Sequence, residues 1–285
     1  MTRAVELADR VKVEALRRAY GHELSSHAFA SMYLWKEQFG LTLHLEEELF
    51  AARMAEGENV WFFPCGSVRA VREFLKWIDA PGLSLRYVRK CDRELLQNLA
   101  PDAFDFTPDG DASEYIYEIA GHEALAGKAY ANVRTQLHKI TREHVLKTAA
   151  ITADTVPVCM EVLRRWEKKR GTLWAHEVCA VDAHALENRE LLGIDGIVVF
   201  ADGEPAGVAA GYPLTDDTHD LFLAKAACDL PGMSYFVQRS FFLSRGEGVR
   251  LINMEEDLGR EGLRNMKRRL APVRMNELWR ADKKR

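Results

Sequence analysis

The stretch Gly196-Ile197-Val198-Val199-Phe200-Ala201-Asp202-Gly203-Glu204-Pro205-Ala206-Gly207-Val208, running on to Ala226, decides the fold. Gly196 to Ala201 is a short apolar run of strand length, and Asp202-Gly203 is the pair favoured in two-residue hairpin turns. Glu204 to Pro213 and His219 to Ala226, parted by Thr215-Asp216-Asp217, add two more strands. Three strands this close in sequence predict an antiparallel meander. Downstream come a helix from Met233 to Arg245, a strand Val249 to Asn253, a helix from about Glu261 to Leu270 and a final extended segment. Upstream, Glu114-Tyr115-Ile116-Tyr117 reads as a short strand. A long basic helix follows from about Gly127 to Lys147, with Tyr130, Val133, Leu137, Ile140 and Val145 as its apolar stripe. Further helices are expected at Val156 to Lys169 and Ala180 to Leu192.

The N-terminal part repeats the mixture. A helix is expected from Val5 to Tyr20, with Val11, Val13, Leu16 and Tyr20 near one face, then an aromatic-rich segment Phe29 to Phe39. Strands follow at Leu41 to Leu45, Asn59 to Phe63 and Leu83 to Val88, with a helix at Val68 to Ile78. The Asp, Pro and Gly of Pro101 to Ser113 mark a boundary. The expected organisation is an N-terminal lobe over 1–106, a linker over 107–113 and a C-terminal lobe over 114–285, which a chain of 285 residues is long enough to fill.

Hydrophobic residues at 47% and charged residues at 29% describe an ordinary globular protein. No signal-peptide pattern opens the chain, and no apolar run approaches the roughly 20 residues that cross a bilayer, so a cytoplasmic location, peripheral to the membrane at most, is expected. Cys65, Cys91, Cys159, Cys179 and Cys228 lie far apart without a C-x-x-C pair and read as core thiols of a reducing compartment. The nine histidines do not combine with them at zinc-ligand spacing, so no metal is expected.

Several motifs carry a resemblance. They are Glu114-Tyr115-Ile116-Tyr117, Leu125-Ala126-Gly127-Lys128 leading through Asn132 and Arg134, Lys225 with Gly232, and Asn253-Met254-Glu255-Glu256-Asp257-Leu258-Gly259 continuing through Glu261, Gly262, Leu263 and Arg264 to Lys267. In order and spacing the chain resembles the phosphatidylglycerol lysyltransferase C-terminal domain family. Phe29 to Trp35 extends the likeness into the first lobe. The resemblance implies an α+β protein of two GNAT-like lobes, each a mostly antiparallel sheet flanked by helices, with a ligand tunnel between them. It implies an aminoacyltransferase that takes an amino acid from aminoacyl-tRNA to a lipid, peptide or small-molecule acceptor, with no required cofactor. Membrane lipid and tRNA are the partners so implied. The chain departs from the family at Ala224, where an acidic residue is expected, and in carrying no membrane-spanning flippase region.

Two other functions compete. A CoA-dependent N-acyltransferase would use a CoA thioester in place of the charged tRNA. A noncatalytic ligand- or RNA-binding protein would keep the fold and lose the chemistry. No P-loop, dinucleotide fingerprint or Gly-x-Ser-x-Gly elbow points elsewhere.

Acyl transfer needs a nucleophile, a proton acceptor and hydrogen-bond donors for the oxyanion that develops at the carbonyl. GNAT-like folds supply such donors from backbone amides at a splayed strand, here His219 to Ala226. Cys228-Asp229-Leu230-Pro231-Gly232-Met233 enters a helix whose N-terminus favours an anion, which makes Gly232 and Met233 the cofactor-binding candidates; a plain turn is the alternative. Glu256, Asp257 and Lys225 are the catalytic candidates. The acids follow a strand end, where they would hold an ammonium or act as base, or else cap the next helix. Lys225 would bind a carboxylate, phosphate or oxyanion, or else snorkel from a strand end. Tyr117, Arg134, Asn253, Glu255, Arg264 and Lys267 are the substrate-binding candidates, against core packing for the tyrosine and surface ion pairs for the cations. The basic runs Arg164 to Arg170 and Lys267 to Arg285 offer a tRNA footprint, or merely solvated faces.

Overall fold

The computed structural model describes residues 1–227 and 229–284. The chain divides into two compact units. Residues 1–114, 256–259 and 275 to the end of the described chain make the first; residues 115–255 and 260–274 make the second. Both are α+β, GNAT-like, with antiparallel-rich sheets flanked by helices.

The first unit contains strands β1 (Arg3–Ala4), β2 (Thr42–Leu45), β3 (Leu49–Met54), β4 (Val60–Phe62), β5 (Cys65–Gly66), β6 (Ser84–Val88) and β7 (Phe104–Pro108), with helices α1 (Arg10–Ala19), α2 (Phe29–Trp35), α3 (Val68–Trp77) and α4 (Lys90–Leu99). Helix α3 shows why the local sequence folds as it does. The Ser67 hydroxyl caps it by accepting from the Ala70 amide at 3.2 Å, and Val71, Phe74 and Ile78 recur on one face that packs on Leu49, Trp61 and Leu85.

The second unit contains β8 (Glu114–Glu118, from Tyr115 on), α5 (Ile119–Ala124), α6 (Ala131–Glu143), β9 (Leu146–Ala150), α7 (Val156–Arg170), α8 (Leu173–Glu187), α9 (Arg189–Leu192), β10 (Asp195–Ala201), β11 (Glu204–Gly211), β12 (Thr218–Asp220), β13 (Leu223–Ala226), α10 (Met233–Leu243), β14 (Leu251–Asn253) and α11 (Glu261–Arg269), whereas β15 (Arg274–Asn276) begins at its last residue and otherwise groups with the first unit. One sheet runs β13-β11-β10-β9, and β12, β14 and β8 lie side by side in another. The β10–β11 hairpin turns at Asp202 and Gly203 with φ of 53° and 89°, the left-handed pair that the Asp-Gly signal requires. A final strand, β16 (Trp279–Lys283), lies between β6 and β7 in the first sheet, whereas the sequence reading keeps that segment with the second lobe. Ala281, fully buried, joins the first unit's core from it.

Four expectations are corrected. The long basic helix stops at Glu143, and Leu146–Ala150 is instead an edge strand that pairs with β10; Val145, assigned to the apolar stripe, is 65% exposed. Helix α8 begins seven residues earlier than its apolar pattern suggests, because the Thr172 hydroxyl caps it by accepting from the Ala175 amide at 3.2 Å. Val11, expected on the buried face of α1, is 80% exposed. Cys91 is exposed rather than a core thiol; Cys65, Cys159 and Cys179 are buried, and Cys228 lies outside the described residues, as does Arg285 of the basic tail.

Candidate active site

The strand expected at His219 to Ala226 is two strands in two sheets. Its first part, β12, pairs in parallel with β14, from Thr218↔Leu251 to Asp220↔Asn253, and the Leu221 amide still donates to the Asn253 carbonyl at 2.8 Å. Beyond that point the chains part. β13 follows β11 alone, from Ala210↔Leu223 to Gly207↔Ala226. The Ala227 amide donates to the Ala206 carbonyl at 2.9 Å, so the alternation of an antiparallel ladder aims the Leu223 and Lys225 amides at β11. The Ala224 and Ala226 amides therefore face the other way, along the open edge of the sheet. Both alanines are half-buried, which leaves that edge within reach of a ligand.

On the β14 side, Asn253 is fully buried and its side-chain oxygen accepts from the Glu255 amide at 2.8 Å, closing a turn of the kind Asn favours. This holds Glu255 at a φ of 57° with its side chain half-buried. The carbonyls of Met254 and Glu255 both accept from the Lys267 ammonium of α11, the latter at 3.1 Å. The Tyr117 hydroxyl in turn donates to the Lys267 carbonyl at 2.8 Å, and the Lys267 ammonium lies 5.5 Å from the Tyr115 ring. Lys267 and both tyrosines are buried, and they fix the backbone of the β14 end.

Lys225 points to the other face of β13. It is 6% exposed, ion-paired with Asp182 of α8, and 4.7 Å from the Trp166 ring centroid of α7. Burial pushes its amine down to about 8 from the ordinary 10.5, opposed by the nearby Cys179 thiol, whose charged form favours the ammonium. The snorkelling alternative does not hold, because the charge lies inside the unit. Arg134 is also spoken for: its guanidinium holds the loop before α6 through the carbonyls of Leu125 and, at 2.8 Å, Gly127. Arg264 is half-buried on α11. Glu256 and Asp257 group with the first unit, where Asp257 is fully buried and accepts from the Gly259 amide at 3.0 Å. That bond closes a turn two residues before Glu261, where α11 begins with Arg260 as its N-cap residue.

Helix α10 starts beside these strands, packing on β11 and β13. Its N-cap, Gly232, has a φ of 94°, and a Cβ there would come within 2.4 Å of the Gln136 carbonyl oxygen, so glycine is required on two counts. No side-chain cap closes the helix, and Met233 beneath it is buried. Asn132 of α6 donates to the hydroxyl of Tyr235 in its first turn at 2.8 Å.

The first unit contains the same device, closed. There β4 pairs in parallel with β6 from Val60↔Ser84 to Phe62↔Arg86, while β5 stays with β3. The parting is filled by His27, whose ring nitrogen Nε2 bonds the Phe63 carbonyl at 2.8 Å and whose ring packs near Phe62, Phe50 and Tyr87. His22 stacks on His27 at 3.8 Å.

Sequence reasoning missed a second feature of the later unit. An open cleft of about 590 Å³ along β9 and β10 is lined by His219, Asp195 and Arg245 among others. Arg245 is ion-paired with Asp195 and 3.1 Å from His219, whose Nδ1 bonds the Asp220 carbonyl at 2.8 Å; the partners hold the Asp195 carboxyl below its ordinary range. The three residues are scattered in sequence, and no spacing announces them. Among the described residues no group of three or more His, Cys, Asp or Glu side chains forms a metal site, and no helix is long and apolar enough to cross a membrane.

The sequence model for the C-terminal region of phosphatidylglycerol lysyltransferase matches residues 17–282. The chain belongs to that family. A crystal structure of a conserved protein of unknown function from Bacteroides thetaiotaomicron superposes with a TM-score of 0.91 at 23% identity, covering 99% of each chain. L-PGS from Bacillus licheniformis gives 0.67 at 16% identity, over 96% of this chain and 92% of its own. The C-terminal domain of a lysylphosphatidylglycerol synthetase from Agrobacterium fabrum gives 0.66 at 14%, over 98% and 93%. No curated protein matches. The family kinship supports an aminoacyl-transfer function in the broad sense. Of the family motifs, Tyr117, Asn253, Glu255 and Lys267 come together around the β14 end, whereas Lys225 and Arg134 are engaged elsewhere in the same unit.

Proposed function

We propose that the second unit is an aminoacyltransferase that takes its amino acid from aminoacyl-tRNA, with the parting of β13 from β14 as the place of transfer. The observation that carries this reading is the open edge at Ala224 and Ala226. In the reaction an acceptor oxygen or nitrogen attacks the ester carbonyl carbon, negative charge develops on the carbonyl oxygen, and edge amides donate to it. The ester C–O bond then breaks, and the ribose hydroxyl leaves with the proton that the acceptor gives up. Preorganised donors of this kind need a rigid strand, and the buried Lys225–Asp182 pair supplies the anchor from behind. On this reading Glu255, whose backbone is held in its turn by Asn253, is the residue assigned to the ammonium of the aminoacyl group. The uncapped start of α10 at Gly232 and Met233 favours a phosphate of the donor.

The test is transfer of label by the purified protein from a mixed pool of aminoacyl-tRNAs, with labelled acetyl-CoA in parallel, over membrane lipids and small metabolites. Label leaving tRNA for an extractable product supports the reading and identifies the acceptor. Label leaving CoA alone makes the protein an N-acyltransferase, and no transfer from either points to the noncatalytic alternative.

A further inference from the structure

The corner between α7 and α8 carries planar and cationic groups that the transfer site does not use. Gly171, at a φ of 60°, ends α7, and Thr172 caps α8 directly after it. This tight junction brings Trp166 and Trp174 to 6.1 Å between ring centroids, edge to face. The Arg170 guanidinium lies 5.3 Å from the Trp166 ring, and that of Arg260 lies 4.0 Å from the Trp174 ring. Trp166 is buried, Trp174 is half-buried, and both arginines are exposed. Arg164 and Lys168, four residues apart on α7, are exposed as well. On its inner side Trp166 receives the Lys225 ammonium, so the row of groups runs inward to β13, the strand of the transfer site.

Cations in the last turn of a helix are ordinary, since they complement its dipole. An arginine plane lying on a half-open tryptophan is a different matter. A half-buried ring and an exposed guanidinium, set among exposed cations, form the kind of platform on which nucleic-acid bases stack.

We propose that this corner receives the single-stranded end of an RNA donor, a base stacking at Trp174 and Arg260 while phosphates meet Arg164, Lys168 and Arg170. The inference rests on the aminoacyl-tRNA reading and names the surface that holds the donor's nucleic acid.

The experiment is a titration of the full chain with a labelled single-stranded RNA of about ten nucleotides, over a series of salt concentrations. The expected result is binding that Trp174→Ala weakens by about tenfold and Trp174→Phe largely retains, since stacking tolerates any aromatic ring. Arg260→Lys, which keeps the charge and removes the plane, weakens it less. Reversing Arg164 and Lys168 to glutamate lowers the magnitude of the salt slope by at least about 1.4. Absence of RNA binding, affinities unchanged in all these variants, or binding of anionic vesicles through the same residues without binding of RNA would each overturn the proposal. Its failure is separable from that of the transfer reading. Transfer from aminoacyl-tRNA with an unchanged KM in Trp174→Ala removes this surface alone. RNA binding that depends on Trp174, with label moving only from CoA, removes the donor assignment alone.

Discussion

The two units use the same strand arrangement and finish it differently. In each, one strand of a largely antiparallel sheet breaks in two, its first part pairing in parallel with a later strand and its second part staying with the earlier one. In each, the later strand bends through a left-handed residue near the parting, Tyr87 at a φ of 54° and Glu255 at 57°. In the first unit His27 fills the gap, and Ser67 caps the helix that follows. In the second, two half-buried alanines face the gap and glycine begins the helix. The lesson is that the fold supplies the opening and side chains decide whether it is a site or a seam.

The comparison can be broken at its strongest point with Ala224→Pro. Proline removes one edge amide at a position where no ladder bond is lost, so the unit should fold while kcat falls by about 10²- to 10³-fold, the scale of a lost oxyanion donor. Full activity with unchanged circular dichroism would dismiss that amide. Next comes the anchor. Asp182→Ala leaves the Lys225 charge buried without its carboxylate and should cost about 3 kcal/mol in urea unfolding, a loss that adding Lys225→Met should largely reverse. No recovery in the double variant would mean that the pair does more than compensate its own burial.

The plug of the first unit gives the smallest and most specific effect. Burial holds the His27 imidazole down at about 3 and that of His22 well below its ordinary value. Well above pH 6.5 both are neutral in the folded and unfolded chains and pH has no leverage. Below it the unfolded chain takes up protons that the folded one refuses, so stability falls with acid by about 1 kcal/mol per pH unit for each imidazole. Urea unfolding at a series of pH values between 7 and 5 checks this, and His27→Gln should remove about half of the dependence. An unaltered slope in that variant would mean that His27 is not the group that resists protonation.

Much of this was legible in the sequence because it is local. Asp202-Gly203 announced its hairpin, the apolar spacing of Val71, Phe74 and Ile78 announced α3, and the Asn253 to Gly259 motif led to the β14 end. What stayed hidden depends on partners distant in the chain. The run from His219 to Ala226 has one strand-like pattern throughout, and only β14 reveals that its halves belong to different sheets. Lys225 looked like a lone charge because Asp182 lies 43 residues away on a helix. The site's donors are backbone amides of alanines, which no residue pattern can advertise. Ala224, noted as a lost acid, matters here for its backbone.

The central claim is that the opening beside β13 binds the aminoacyl end of the donor, and amide NMR tests it most directly. A non-hydrolysable aminoacyl-adenosine analogue, in which an amide replaces the ester, should shift the Ala224 and Ala226 resonances most, with Glu255 and the first turn of α10 following, and should leave Phe62 to Gly66 unmoved. Shifts confined to other residues, with Ala224 and Ala226 silent at saturation, would contradict it.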